Sequence, residues 1–345
     1  MAVDENLGER RSEVLRAIVS HYVNSGEPVG SKTLVERFNL GVSSATVRNE
    51  MGALEDSGYI YQPHTSAGRV PTDAGYRYFV DSSGETKLPK REAALIRRFF
   101  GEPRYELEES LRQTAGLLSS LTDHAAVVFA PVLERSVIRH VELVPLSGQR
   151  AMVVVVANTG RVENHIVPVT IDEVQLDRAA EMMNRLVIDQ PLESAGTALL
   201  RELERFPLEL RDAATAVATT LDRELTDPNS ERVFLDGASN ILREEKASDL
   251  ETVRQVIGAL EHRRLLLEVL ADALSSSSVS VRIGSENSLE EMQSITVITA
   301  PYGTDDEPIG SLGIVGPTRM DYKRTIAAVH EVASSLGHML GELGL

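Results

Sequence analysis

The chain has 345 residues, 42% of them apolar and 25% charged, enough for two or three domains each with its own core. It contains no cysteine, which excludes disulfides, a thiolate nucleophile and cysteine-ligated zinc or iron–sulfur centres. A net charge of −17 argues against a nonspecific nucleic-acid coat or a membrane-surface role, and the acidic start with no apolar run of ~20 residues gives the expectation of a cytoplasmic protein without a membrane partner.

Taken in chain order, residues 9–25 place Leu15, Ile18, Val19 and Tyr22 on one helical face and stop at Gly26. Gly26-Glu27-Pro28-Val29-Gly30 reads as a turn, and Ser31 is expected to cap a short second helix to about Phe38. After Asn39-Leu40-Gly41 comes a stretch with a signal at each end: Ser43 as N-cap and Gly58 as left-handed stop. Between them Val47, Met51 and Leu54 turn inward, while Ala45, Arg48, Asn49 and Gly52, flanked by Ser44 and Thr46, form a short polar outer face. Helix, short helix, turn and capped helix is the order of a helix-turn-helix, in which the last helix enters the major groove.

Tyr59-Ile60-Tyr61 and Val70 bracket the loop Pro63 to Arg69, a β-hairpin that would make the wing of a winged helix, with His64 and Arg69 placed to touch phosphate or minor groove. Thr72 is suited to cap a further helix carrying Tyr76, Phe79 and Val80 inward. Charge does not help: residues 1–80 hold eight Lys and Arg against ten Asp and Glu, so a DNA contact must come from a few placed arginines and should be salt-sensitive. A winged helix serving as a protein-interaction module remains the alternative.

Polar, breaker-rich Ser82 to Lys90 marks a domain boundary, and 82–104 reads as linker. A helix is expected from Tyr105 to about Leu121, then strands at 125–130, 136–144, 151–157 and 162–169. Helical texture at 173–187, 193–205 and 208–226 suggests either an inserted subdomain that pairs with another copy or a simple cover for the sheet. A long helix is expected over 249–274, strands at 279–284, 294–300 and 309–315, and a last helix from Pro317 to about Leu343. The fold class is α+β and multidomain, with an antiparallel sheet under packed helices.

Catalysis finds no support. Gly310, Gly313 and Gly316 match neither a dinucleotide fingerprint nor a P-loop, and His330 and His338 stand too far apart for an i,i+4 metal pair. The expectation is a non-enzyme without cofactor or metal. Three polar clusters beside strand-end glycines stand out: Asp236 to Asn240, Arg282 to Asn287, and Gly316 to Tyr322. Asp236, Asn240, Arg282, Glu286, Arg319 and Asp321 would line a small-molecule pocket or form a structural polar network.

Gly26-Glu27-Pro28-Val29-Gly30-Ser31, Val42 to Met51, Pro63 to Thr72, Gly75-Tyr76-Arg77, Phe234 to Leu242, Arg282 to Asn287 and Gly316 to Tyr322 together resemble one family, the heat-inducible transcription repressor HrcA. The resemblance runs along nearly the whole chain, with Val47 and Glu50 as conservative variants of the family's Ile and Asp. It implies a winged-helix domain (1–81), a linker (82–104), a GAF-like domain (105–170 and 233–345) and an inserted dimerisation domain (171–232). It further implies a homodimer on a double-stranded inverted-repeat operator of the CIRCE type upstream of chaperone operons, kept active by the GroE chaperonin and released on heat stress. Ser43, Ser44, Thr46, Arg48, Asn49, His64 and Arg69 are the expected DNA-contacting set. The alternative is a winged-helix regulator whose GAF-like pocket senses a small molecule.

Overall fold

The computed structural model describes residues 7–65, 67–84, 86–102, 107–129, 137–158, 162–224, 233–240, 278–304 and 307–342, with isolated positions at 258, 273, 274 and 276. The helix expected over 249–274 lies outside the described residues apart from those positions.

The N-terminal unit is α1 (Glu9–Ser25), α2 (Ser31–Arg37), α3 (Ser44–Asp56), the hairpin β1 (Ile60–Tyr61) and β2 (Val70–Pro71), and α4 (Asp73–Asp81). Gly26, left-handed at φ 71°, ends α1 by donating its N–H to the Tyr22 carbonyl. Ser31 does not cap α2. Gly30 holds that position, and Ser31 is a buried first helical residue without a side-chain cap bond. Val14, Leu15, Ile18, Leu34, Val47, Leu54, Tyr59 and Ile60 fill the centre, the small-domain case in which a few bulky residues make the core.

The chain continues through α5 (Lys90–Phe100) and α6 (Leu107–Thr122) into a five-stranded antiparallel sheet. Its order is β7 (Val233–Asp236), β3 (Ala125–Phe129), β10 (Glu307–Pro317), β9 (Ile295–Thr304) and β8 (Ser280–Ile283). The closing helix α10 (Tyr322–Glu342) lies beside α6 against this sheet. It begins later than the sequence suggests: Pro317 ends β10 opposite Ile295, and the Asp321 carboxylate accepts the Arg324 N–H at 3.2 Å as the cap. The stretch expected as linker carries α5, whose Ile96 is fully buried against the same core.

Between β3 and β7 in the chain stands a second unit with a core of its own: the meander β4 (Ile138–Leu146), β5 (Arg150–Ala157) and β6 (Val162–Pro168), then α7 (Glu173–Val187), α8 (Leu192–Arg201) and α9 (Arg211–Glu224). The boundary expected at 171 therefore falls inside this unit. β4–β6 pair with each other and with no strand of the five-stranded sheet, and Val141, Val153 and Val167 pack with Met183, Leu199 and Val217. Asp172 and Gln175 form a reciprocal capping box that starts α7. Asn184 of α7 ties helix to sheet, donating to the Val141 carbonyl at 2.7 Å and accepting the Val141 N–H at 2.8 Å.

Candidate nucleic-acid interface

α3 is held so that one face stays bare. Ser43 accepts the Thr46 N–H at 3.2 Å, and the two hydroxyls lie 3.0 Å apart, so the first turn is fixed by its own side chains. Val47, Met51 and Leu54 anchor the inner face. From the sides, Arg11 of α1 pairs with Glu50 at 3.2 Å, and Arg69 of β2's approach pairs with Glu55 at 2.8 Å. Ala45, Arg48 and Asn49 are left exposed, with no partner for Arg48 or Asn49 among the described residues. Ser44 and Thr46 flank them, half-buried.

The hairpin beside α3 is braced rather than loose. Gln62 donates to the carbonyls of Thr65 at 2.9 Å and Ala67 at 2.8 Å, closing the loop from within. Val29, in the turn between α1 and α2, exchanges both backbone hydrogen bonds with Arg69 at 3.0 and 2.9 Å, an isolated antiparallel bridge beside the hairpin. Gly68 permits this, since a Cβ there would strike the Val29 backbone within 2.6 Å. His64 is exposed at the loop, whereas Arg69 is half-buried with its guanidinium on Glu55. Of the two hairpin residues singled out by sequence, His64 is presented outward and Arg69 locks the hairpin to the end of α3. Sequence reasoning missed Val29 and Glu55, whose partner Arg69 lies 40 and 14 residues away, and Gln62, whose bonds to loop carbonyls leave no periodic signal.

The six polar residues do not converge on one pocket. Asn240 donates to the Ser119 hydroxyl at 2.8 Å, and Asp236 lies against α6 beside Gly116. Arg282 sits half-buried on β8, and Asp321 caps α10. Glu286 and Arg319 instead join the N-terminal unit to the five-stranded one. Glu286 receives Arg77 of α4 in a two-pronged pair, with Nε at 2.8 Å, and also accepts the Ile283 N–H at 2.9 Å. This charge-assisted pairing pushes the Arg77 guanidinium pKa up from its already high value. Next to it, the Asp73 carboxylate accepts both the N–H and the hydroxyl of Ser285 at 2.9 Å. Gly284, left-handed at φ 51°, lets that carboxylate approach, because a Cβ would overlap it.

On the other side of the joint Arg319 reaches the Val23 carbonyl at 3.5 Å, packed over Gly26, and Tyr76 stacks on Tyr322 with ring centroids 5.5 Å apart. Burial raises the pKa of both phenols well above the usual tyrosine range. A cleft of about 490 Å3 opens beside the joint, and neither Arg282 nor Arg319 lines it. Among the described residues no group of three or more His, Asp or Glu is placed to hold a metal, and no helix is long and apolar enough to cross a membrane.

Known proteins resemble this chain along nearly its whole length. Residues 108–326 match the family model described as the HrcA protein C terminal domain. The heat-inducible transcription repressor HrcA of Nocardia farcinica is 44% identical over 338 residues, covering 97% of both chains. That of Streptomyces avermitilis is 44% identical over 97% of this chain and 99% of its own, and that of Thermobifida fusca 43% identical over 99% of both. A crystal structure of a hypothetical protein, 25% identical, superposes with a TM-score of 0.65 over 98% of each chain.

Proposed function

The chain belongs to the HrcA family of heat-inducible transcription repressors, and from that premise we propose that it silences chaperone operons by binding, as a homodimer, an inverted-repeat operator of the CIRCE type. The observation that carries this reading is the bare Arg48–Asn49 face of α3, held from three sides while those two side chains have no partner among the described residues. Arg48 suits a two-pronged contact to guanine and Asn49 to adenine, each worth about 1–3 kcal/mol of discrimination, with Ser44 and Thr46 beside them and His64 on the hairpin loop at phosphate. The N-terminal unit is then a winged helix, the five-stranded unit GAF-like, and the unit at 138–224 the dimerising one.

The dimer has its own support. One face of the β4–β5–β6 meander is covered by α7 and α9, and the other carries Val144, Met152, Val154, Val156, Val162 and Ile166 around a His140–Glu142 pair and Asn164, with Val162 50% and Ile166 61% exposed. An apolar sheet face of this kind fits a second copy of the same face, an isologous contact whose two-fold axis would match an inverted repeat. In this reading the GroE chaperonin keeps the repressor competent, and heat withdraws it by supplying other clients.

Titration of the full chain against an inverted-repeat duplex and a scrambled one, at fixed salt and with or without chaperonin, tests the proposal. The expected result is preference for the repeat, strengthened by chaperonin and lost in Arg48→Ala with unchanged melting. Equal affinity for the two duplexes would overturn it.

A further inference from the structure

DNA binding poses a problem of charge for this chain. It carries −17 overall, and its first 80 residues are net −2, yet it must approach a polyanion. The densest cationic stretch lies just after that unit, where Lys87, Lys90, Arg91, Arg97 and Arg98 stand against a single acid, Glu92. On α5 these charges are sorted by face. Lys90, Arg91, Arg97 and Arg98 are all exposed, with the Arg98 side chain 85% so. Glu92 turns inward, where one carboxylate oxygen takes Arg324 of α10 at 3.2 Å and the other is buried. Glu102 approaches Arg98 on the outer face only at 3.9 Å in an exposed pair, a contact worth little. Lys90 and Arg97, like Arg91 and Arg98, are seven residues apart, which places each pair on one side of the helix about 10 Å along its axis.

We propose that this outer face of α5 is a second DNA-contact surface, which grips backbone phosphates flanking the bases read by α3 and reads no sequence itself. The inference rests on the DNA-binding reading above and extends it to a helix outside the winged-helix unit. α5 is mounted in a defined way on the five-stranded unit: it packs along α10, with Ile96 fully buried and Glu92 held by Arg324 of that helix. The pairs Arg77 on Glu286 and Asp73 on Ser285 tie that unit to the one that carries α3, so the cationic face stands at a set position relative to the recognition helix. DNA backbone, rather than an acidic protein, is favoured because the face is charged at four positions and apolar only at Ala94 and Leu95, whereas protein interfaces concentrate large apolar anchors at their centre.

The test is the salt dependence of binding by the full chain with Lys90, Arg91, Arg97 and Arg98 all changed to Gln, a good helix former that leaves the buried side of α5 untouched. Each lost phosphate contact removes about 0.9 from the slope of log affinity against log salt. The expected result is a slope shallower by about 2 or more, with operator and scrambled duplex weakened by the same factor, and retention of the wild-type slope when the three arginines are changed to Lys instead. Unchanged slopes in the quadruple Gln variant, with melting preserved, would overturn the proposal, as would loss of chaperonin binding alone. Failure of the parent reading looks different, because there the wild type itself shows no preference for the inverted repeat.

Discussion

The two cores of this protein end in opposite ways. The first runs without a break from α1 through α5 and α6 to α10, and its outer boundary between units is closed by polar pairs with one geometry: Arg77 on Glu286, Asp73 on Ser285. The second, at 138–224, is complete on one side of its sheet and, around a His140–Glu142 pair and Asn164, mostly apolar on the other. A joint made of directional pairs fixes an angle, whereas an open apolar face invites a partner. The first arrangement sets where α3 points within one chain, and the second is suited to setting how two chains face each other.

The largest expected effect comes from spoiling the open face. Val154 lies at its centre on the middle strand, paired with Glu142 on one side and Asn164 on the other. Val154→Asp should give a folded monomer by light scattering and lower operator affinity roughly 100-fold or more, since two half-sites no longer bind as one. A dimer that survives this change would break the contrast drawn between the cores.

Inside the first core, His124 offers a test of how tightly that region is packed. Its ring lies against Gly316, and burial pushes its pKa down to about 4, with smaller opposing contributions from Asp123 and Arg324. The unfolded chain takes up this proton near pH 6.5 and the folded chain only near 4, so stability falls as pH drops through that window and levels off below it. The loss amounts to about 3 kcal/mol. Denaturant unfolding at several pH values should show wild type and His124→Gln converging toward pH 4, and parallel profiles would contradict the burial argument.

The joint should respond more mildly. Arg77→Met leaves the Glu286 carboxylate and the Val281 carbonyl short of a charged donor, at a cost of about 2 kcal/mol. Its signature should be a weaker preference for one spacing of the inverted repeat, because the angle of α3 is less fixed. Operator variants with the half-sites moved by one or two base pairs would report this, and unchanged discrimination would reduce the joint to a stabilising contact.

Legibility in the sequence follows the same division. α3, its cap at Ser43, the Gly58 stop and the Thr72 cap were readable because each signal lies within a few residues of the structure it makes. The allocation of β4–β6 was not, because alternating strands look alike in sequence and only pairing decides which sheet they join. Glu286 and Arg319 stand out as polar residues near strand ends, but their partners lie 209 and 296 residues away, so the pattern favours a structural network over a pocket without saying which units it joins. Ile96 hid in a stretch whose flanking Ser, Gly and Pro read as linker, and tertiary packing overrode that texture.

The smallest effect separates fold from contact at the tip of α3. Ser43→Ala removes the acceptor for the Thr46 N–H and frees the Thr46 hydroxyl, which should cost about 1 kcal/mol in thermal unfolding. Ser43→Asp restores a capping oxygen and suits the positive end of the helix, so melting should recover. If the helix end faces a phosphate, however, the added negative charge must weaken operator binding even as stability returns. Recovery of both would leave Ser43 as a cap remote from DNA, and the groove contacts would then begin at Ser44. Recovery of stability alone would place the N-terminus of α3 against the backbone, with Arg48 and Asn49 one turn further along at the bases.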